Sequence, residues 1–191
     1  MSVMTEVPEQ ELVARCLDGD PDHAAFALLY ARFAPEVHRF LRRLIGDATE
    51  AEDALQETFI RLHRALGRLD RSLPLRPYVL GIARNAAIEA LRRGERLRKL
   101  HGKGYEPEPC SAEDNAARAE RRQLVQESLA ALPPEHRTVL VLRHTHGLKL
   151  REVAEALSCT PRTGRNRLRA AAILLQGELE RRGILGEEVA K

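Results

Sequence analysis

The stretch that decides the fold reads EAEDALQETFIRLHRAL at residues 50–66 and continues, after a short break, as PYVLGIARNAAIEALRR at residues 77–93. In the first part, apolar side chains recur at Leu55, Phe59 and Leu62, a spacing that predicts a helix with one buried face. The second part begins with proline, which suits the first turn of a helix because no N–H partner is needed there. Both parts therefore predict amphipathic helices.

The opposite face of the first helix is acidic but contains one apolar side chain. It consists of Asp53, Gln56, Glu57 and Ile60. A charged helix face is more often a solvated surface than a binding site, and that interpretation stays open. The alternative is a docking surface for a basic, partly apolar protein.

One side of the second helix combines an aromatic ring, an amide and charged groups, at Tyr78, Asn85, Glu89 and Arg92. Such a set suits stacking on bases and hydrogen bonding to their edges. An ordinary amphipathic helix has a similar polar side, so the pattern alone does not decide between them.

The order and spacing of these residues resemble region 2 of bacterial sigma factors, especially the small extracytoplasmic-function group. The run Ala-Glu-Asp-x-x-Gln-Glu-x-Phe begins at Ala51, and Ile-Ala-Arg-Asn at 82–85 and Arg-Arg at 92–93 follow. The resemblance implies that Asp53, Gln56, Glu57 and Ile60 bind the clamp coiled coil of RNA polymerase. It also implies that the second helix reads and opens the minus-ten promoter element. The residues implied for that role are Arg76, Tyr78, Asn85, Glu89, Arg92 and Arg93.

Composition predicts an all-α protein. Ala, Leu, Arg and Glu dominate, and runs with strand alternation are absent. The net charge of +3 is too small to indicate nucleic-acid binding by itself, so the distribution of charge matters more. Residues 47–57 contain five acids and no base, whereas residues 160–170 contain four arginines and no acid. One surface suits a basic protein and the other suits phosphate.

The chain is expected to form two small helical domains, at 9–100 and 118–182, joined by a flexible linker at 101–117 that is rich in proline and acids. In the first domain we expect a helix near 9–17, a second from about residue 22 that Pro35 interrupts, and an apolar stripe that ends at Gly46.

The second domain has the pattern of a helix-turn-helix. A helix that starts near Lys149 is followed by a short turn and by a basic helix, with Thr160 as its N-cap and a proline next. The inward side of that helix is expected at Gly164, Leu168, Ala171, Ala172 and Leu175, and the polar side at Arg162, Arg165, Asn166 and Arg169. Arginine pairs with guanine or phosphate and asparagine with adenine, although a solvated arginine face would look alike.

This second pattern resembles sigma region 4. The resemblance implies that the domain contacts the polymerase flap and that its basic helix contacts the minus-thirty-five element. The residues implied for the DNA contact are Thr160, Arg162, Arg165, Asn166 and Arg169. Two residues depart from the family pattern. Ser158 occupies a position where glycine is usual, and Gly164 one where a buried valine is usual.

The remaining features point away from catalysis and export. The three cysteines lie far apart in the sequence, the seven histidines do not share one helix face, and no nucleophile–base pattern is visible. We therefore expect no enzyme activity, no metal and no cofactor. The absence of a signal peptide and of a long apolar run predicts a cytoplasmic protein.

The main prediction is a sigma factor that binds core RNA polymerase and recognises the minus-ten and minus-thirty-five elements of promoter DNA. The alternatives are a stand-alone helix-turn-helix regulator and a sigma-like protein that opens promoters weakly. The second alternative arises because Tyr78 stands where the family usually has tryptophan. The resemblance also implies an anti-sigma protein, which is often membrane-bound. The promoter sequence, the inducing signal and the identity of that partner do not follow from the sequence.

Overall fold

The computed structural model describes residues 7–18, 23–69, 74–101 and 116–183, except for the side chains of 97–101 and 116–122. Within these ranges the regular secondary structure is helical, which confirms the all-α prediction. The α-helices are α1 (Glu9–Leu17), α2 (Ala24–Ile45), α3 (Ala48–Ala65), α4 (Leu75–His101), α5 (Ala116–Ala131), α6 (Pro134–Leu140), α7 (Leu150–Ala156) and α8 (Pro161–Arg181). No helix in the described ranges is both long and apolar enough to cross a membrane.

The first domain packs α1, α3 and α4 around α2. The prediction that Pro35 interrupts the second helix was wrong, because α2 runs through Pro35 without a break. A proline inside a helix removes one hydrogen bond and costs about 3 kcal/mol. Here both halves of α2 are held by burial, since Phe33 before the proline and Val37 and Phe40 after it are at most 4% exposed. Burial of such side chains contributes about 1.5–3 kcal/mol each, which outweighs that cost.

The ends of the first-domain helices follow local sequence signals. Gly46 has φ 87° and ends α2, and the Asp47 carboxylate accepts a hydrogen bond from the Glu50 amide at 2.8 Å to cap α3. Helix α4 begins two residues before Pro77 and continues past Gly94 to His101. The polar side of α4 therefore belongs to one long helix.

The second domain contains α5–α8, with α7, a short turn and α8 in the order of a helix-turn-helix. A π-helical turn at Val141–Thr145 follows α6. In the turn between α7 and α8, Ser158 has φ 48°, a left-handed conformation that explains why glycine is usual there. Gly164 and Ala171 are buried on α8 as expected. The prediction that Ala172 faces inward was wrong, because this residue is exposed and lies beyond the edge of the inward side.

The linker predicted at 101–117 lies mainly outside the described residues. His101 still belongs to α4, and residues 116–117 already belong to α5. The domain boundaries within this stretch remain predictions.

The two domains pack against each other. Their buried side chains form one apolar cluster, which includes Val79 and Leu80 of α4 together with Val153 and Leu157 of α7. Helix α2 also meets the turn after α6 in this contact. A single core therefore spans both halves of the described chain, and the sequence did not predict this packing.

Candidate polymerase and promoter interfaces

The outer face of α3 is open to solvent. Asp53 and Gln56 are exposed, and the side chain of Ile60, on the same face, is 45% exposed. The opposite face is held in the core by Phe59 and Leu62. Burial of one face fixes the helix, so the outer face presents carboxylates around one half-exposed apolar side chain, Ile60.

Arg61 joins this face to α4. Its Nε donates to Glu57 Oε1 at 2.6 Å, and its two Nη atoms donate to the two carboxylate oxygens of Glu89 at 2.9 and 2.5 Å. The hydrogen bonds from Arg61 lower the pKa of the Glu89 carboxyl, and its bonds to Glu89 and Glu57 raise the pKa of Arg61. Because a two-pronged guanidinium–carboxylate pair has a fixed geometry, Glu89 is held toward α3.

The exposed side of α4 carries a ring, an amide and a cation in one row. Tyr78 is 40% exposed, and Asn85 and Arg92 are also exposed. The Asn85 Oδ1 atom accepts a hydrogen bond from Arg84 Nη1 at 3.1 Å, which leaves its amide NH₂ group toward solvent. Arg93 is exposed as well, with its Nη2 3.5 Å from Glu50 Oε2. This row can stack a base and donate hydrogen bonds to its edges.

Arg76 lies apart from this row and is engaged inside the protein. Its guanidinium donates to the Glu36 carboxylate at 2.5 Å and to the His146 carbonyl at 2.6 Å. Burial raises the pKa of Glu36, but hydrogen bonds from His146 and Arg76 outweigh it and bring this pKa down to about 2. Arg76 therefore joins the first domain to the second through Nε and Nη2.

The polar side of α8 faces solvent. Its exposed residues are Arg162, Arg165, Asn166 and Arg169. The Thr160 hydroxyl accepts a hydrogen bond from the Thr163 amide at 3.2 Å and caps the helix. Behind this side, an added Cβ at Gly164 would lie 3.5 Å from the Cβ of Ala154, so α8 lies close to α7 at this point. An exposed basic helix backed by a packed one is the arrangement that enters a DNA major groove.

Models of two regions of one protein family match the chain, one over each domain. Sigma-70 region 2 matches residues 29–97 and Sigma-70, region 4 matches residues 122–174, which together cover more than half of the chain. The chain is 34% identical to the RNA polymerase sigma factor CarQ of Myxococcus xanthus over 93% of its own length and 99% of that protein. It is 32% identical to the ECF RNA polymerase sigma factor SigL of Mycobacterium tuberculosis over 84% of its length and 92% of that protein.

This chain is an extracytoplasmic-function RNA polymerase sigma factor. A sigma factor binds core RNA polymerase and directs initiation at promoters, and the family prediction from the sequence is thereby confirmed. A stand-alone helix-turn-helix regulator would not account for the match to region 2.

Two solved structures have a similar fold. CnrH, solved in complex with the cytosolic domain of CnrY, superposes with a TM-score of 0.66 at 24% identity, covering 90% of this sigma factor and 97% of CnrH. The sigma factor RpoE of Bartonella quintana, solved in complex with the anti-sigma factor NepR, gives 0.64 at 19% identity, with coverage of 81% and 96%. At these identities the likeness concerns the fold.

Several residues that matter in the structure were not singled out by sequence patterns. Arg61 and Arg137 form hydrogen bonds across helices, and Glu36 and His146 meet across the two domains. The one available signal was at Arg137, which ends the run Leu-Pro-Pro-Glu-His-Arg at residues 132–137 and faces inward at 8% exposure. The partners of these residues lie tens of positions away in the sequence, where no spacing rule applies.

Proposed function

We propose that the outer face of α3 binds the clamp coiled coil of RNA polymerase. The observation that carries this proposal is the exposed Ile60 among Asp53, Gln56 and Glu57. Protein interfaces have an apolar centre and a polar rim, and Ile60 with its polar neighbours fits that arrangement. The surrounding carboxylates favour a basic partner and accelerate its association.

We further propose that the exposed row on α4 binds the minus-ten element. Extruding a base from duplex DNA costs a few kcal/mol, and stacking on an aromatic ring returns about 1–3 kcal/mol. Tyr78 offers the ring, and Asn85 and Arg92 offer donors on the same side of the helix. We assign Arg93, which is exposed beside this row, to a phosphate of the same element. Glu89 acts through Arg61, by holding α4 against α3, and not as a direct DNA ligand.

The corresponding proposal for α8 is contact with the minus-thirty-five element through its four exposed polar residues. Each well-placed pair of hydrogen bonds between a side chain and a base contributes about 1–3 kcal/mol of discrimination. The same helix carries Ile173, which is 63% exposed, and Leu174, which is 43% exposed, and we assign this apolar pair to the polymerase flap.

Charge reversal on α3 tests the polymerase assignment. Asp53→Lys combined with Glu57→Lys should abolish capture of the chain by immobilised core polymerase and remove promoter-specific run-off transcript. Glu11→Lys is the matched control, because Glu11 is an exposed carboxylate on α1 that also pairs with an arginine. Equal capture of the double variant and the control would overturn the assignment.

Removal of single arginines from α8 tests the promoter assignment. Arg169→Ala should weaken binding to a selected promoter and relax base preference at one position of the minus-thirty-five element. Arg181→Ala, which removes one exposed arginine from the end of the same helix, should leave base preference unchanged. Permanganate footprinting with the Tyr78→Ala and Tyr78→Trp variants then measures promoter opening, and the weak-opening alternative requires that tryptophan increase it.

We also propose that this sigma factor acts by binding and not by catalysis, in the cytoplasm, and that an anti-sigma protein regulates it. The support for the last point is that one similar solved structure, the sigma factor RpoE of Bartonella quintana, is a complex with the anti-sigma factor NepR. Affinity capture of the native chain followed by identification of the retained proteins tests it.

A further inference from the structure

Helix α4 continues well past the part of it that packs in the first domain. Among the side chains of α4 that the structure describes, the last buried one is Ala90, and the helix runs on to His101. We term residues 91–101 the α4 extension, which is about 16 Å long at 1.5 Å per residue. A Cβ added to Gly94 would meet no atom within 4 Å, so there is open space beside the helix at this turn.

The α4 extension is strongly basic. Residues 92–101 read RRGERLRKLH, with five arginines and lysines and one acid. Cations in the last turn of a helix interact favourably with the helix dipole, but this effect fades within one turn. Arg92 and Arg96 are exposed and lie more than one turn before His101, so the end of the helix does not explain their charge.

Arg96 continues the exposed row of α4. Residues 78 and 96 are separated by eighteen positions, which make five turns of an α-helix, so Tyr78 and Arg96 lie on the same side. Their separation along the helix is about 27 Å, at 1.5 Å per residue. A row of bases 3.4 Å apart makes about eight steps over that length. The row therefore has an aromatic ring at one end and two arginines, Arg92 and Arg96, at the other.

The order of the chain indicates which DNA lies at the arginine end. The C-terminus of α4 leads to the second domain, to which the minus-thirty-five element is assigned. That element lies upstream of the minus-ten element, and the DNA between the two stays double-stranded. The arginine end of the row therefore lies on the side of this duplex, whereas Tyr78 lies at the end where bases are extruded.

We propose that the α4 extension binds the phosphate backbone of duplex DNA immediately upstream of the minus-ten element, through Arg96. The inference rests on the proposed function of α4 and adds a second kind of ligand to it. The ring and the amide take unpaired bases, and the extension takes phosphates of a paired duplex. Phosphate contacts fix the position of a protein on DNA without reading sequence. The extension therefore holds the duplex at the edge of the opened segment.

Two DNA probes test this binding, both with the complex of the chain and core polymerase. One probe is a single strand that carries the minus-ten element of a selected promoter. The other joins the same strand to one helical turn of upstream duplex, about ten base pairs, without a minus-thirty-five element. Arg96→Ala should leave the affinity for the first probe unchanged and lower that for the second several-fold at low salt. Arg39→Ala, the matched control, removes an exposed arginine from α2 and should change neither.

Salt dependence identifies the ligand as phosphate. Loss of one phosphate contact should lower the slope of log affinity against log salt by about 0.9, because fewer counterions are released. Between about 50 and 200 mM salt, the deficit of Arg96→Ala on the second probe should therefore shrink about 3.5-fold. Arg96→Lys should bind like the natural chain, because lysine keeps the charge that a phosphate attracts. A two-pronged contact to a base edge would instead be lost in that variant.

Three results would overturn the proposal. The first is equal affinity of Arg96→Ala and the control for the second probe. The second is an equal loss on both probes, which would mean that Arg96 acts on the single strand or on the folding of α4. The third is weaker capture of Arg96→Ala by core polymerase without DNA, which would make the extension a polymerase surface. Failure of the natural chain to distinguish the single-stranded probe from a scrambled strand would instead overturn the function proposed for the row on α4.

Discussion

Replacement of the Glu36 carboxylate by an amide, Glu36→Gln, should destabilise the chain at neutral pH and leave it almost unchanged at strongly acidic pH. Glu36 lies under the contact between the domains, with its side chain 19% exposed. Its oxygens accept hydrogen bonds from Arg76 and lie beside His146. Glutamine keeps the shape of the side chain but removes the negative charge, and with it the ion pair with Arg76 and the charged acceptor beside His146.

The magnitude follows from the pKa of Glu36, which is lowered from 4.5 to about 2. A lowered carboxyl pKa means that the folded state stabilises the ionised form of the Glu36 side chain more than the unfolded state does. The corresponding stabilisation is about 3 kcal/mol at neutral pH, and we expect about 2 kcal/mol because the side chain keeps some contact with water. This stabilisation is fully present above pH 4.5 and is lost as the pH falls toward 2.

The assay is urea unfolding followed by far-ultraviolet circular dichroism at a series of pH values, for the natural chain and the variant. The difference in unfolding free energy should be about 2 kcal/mol at neutral pH and should shrink between pH 4.5 and 2. Glu11→Gln is the control, because its exposed pair with Arg15 contributes less than about 1 kcal/mol. A difference that stays constant with pH would refute the electrostatic explanation.

Three further substitutions test the packing of the second domain by the same unfolding assay. Gly164→Ala should stabilise the chain by up to about 1 kcal/mol, because alanine is the better helix former and the new methyl only touches Ala154 at 3.5 Å. Gly177→Ala is the control, because an added Cβ there meets no atom within 4 Å, and it should stabilise the chain equally. A loss of stability at Gly164 alone would show that the contact with Ala154 has no room for a methyl group. Thr160→Ala should cost about 1 kcal/mol through loss of the N-cap, while Thr160→Ser should not. Arg137→Lys should cost about 2–4 kcal/mol, because one ammonium cannot reach all three backbone carbonyls to which the guanidinium donates; a cost below about 1 kcal/mol would contradict that role.

Features that depend on neighbouring residues were predictable from the sequence. The buried and exposed sides of α3 followed from apolar spacing, and the caps at Asp47 and Thr160 followed from side chains that satisfy the first amides of a helix. Pro35 misled the same reasoning. Local propensity marks proline as a helix end, but the burial of Phe33 and Phe40 on either side is a tertiary effect that no local pattern contains.

The contact between the domains could not be predicted for a related reason. His146 and Glu36 are 110 positions apart, and neither side chain belongs to a motif. Gly81 lies between Tyr78 and Asn85 in the sequence, and its role depends on the approach of a backbone carbonyl from α7. Sequence patterns indicate which face of a helix is buried, but they do not indicate which surface covers it.

Arg76 illustrates what this means for the promoter-facing helix. The resemblance to region 2 assigns Arg76 to promoter DNA, whereas in the packed chain its guanidinium is shared between the Glu36 carboxylate and the His146 carbonyl. A guanidinium has five N–H donors, and Arg76 reaches these two acceptors through Nε and Nη2 while its side chain stays 36% exposed. The same group can therefore hold Glu36 and His146 and still donate to a phosphate. Arg76→Ala should lower both the free energy of unfolding, measured with urea, and the affinity for promoter DNA, measured with the complex of the chain and core polymerase. Unchanged promoter affinity in this variant would contradict the assignment of Arg76 to DNA.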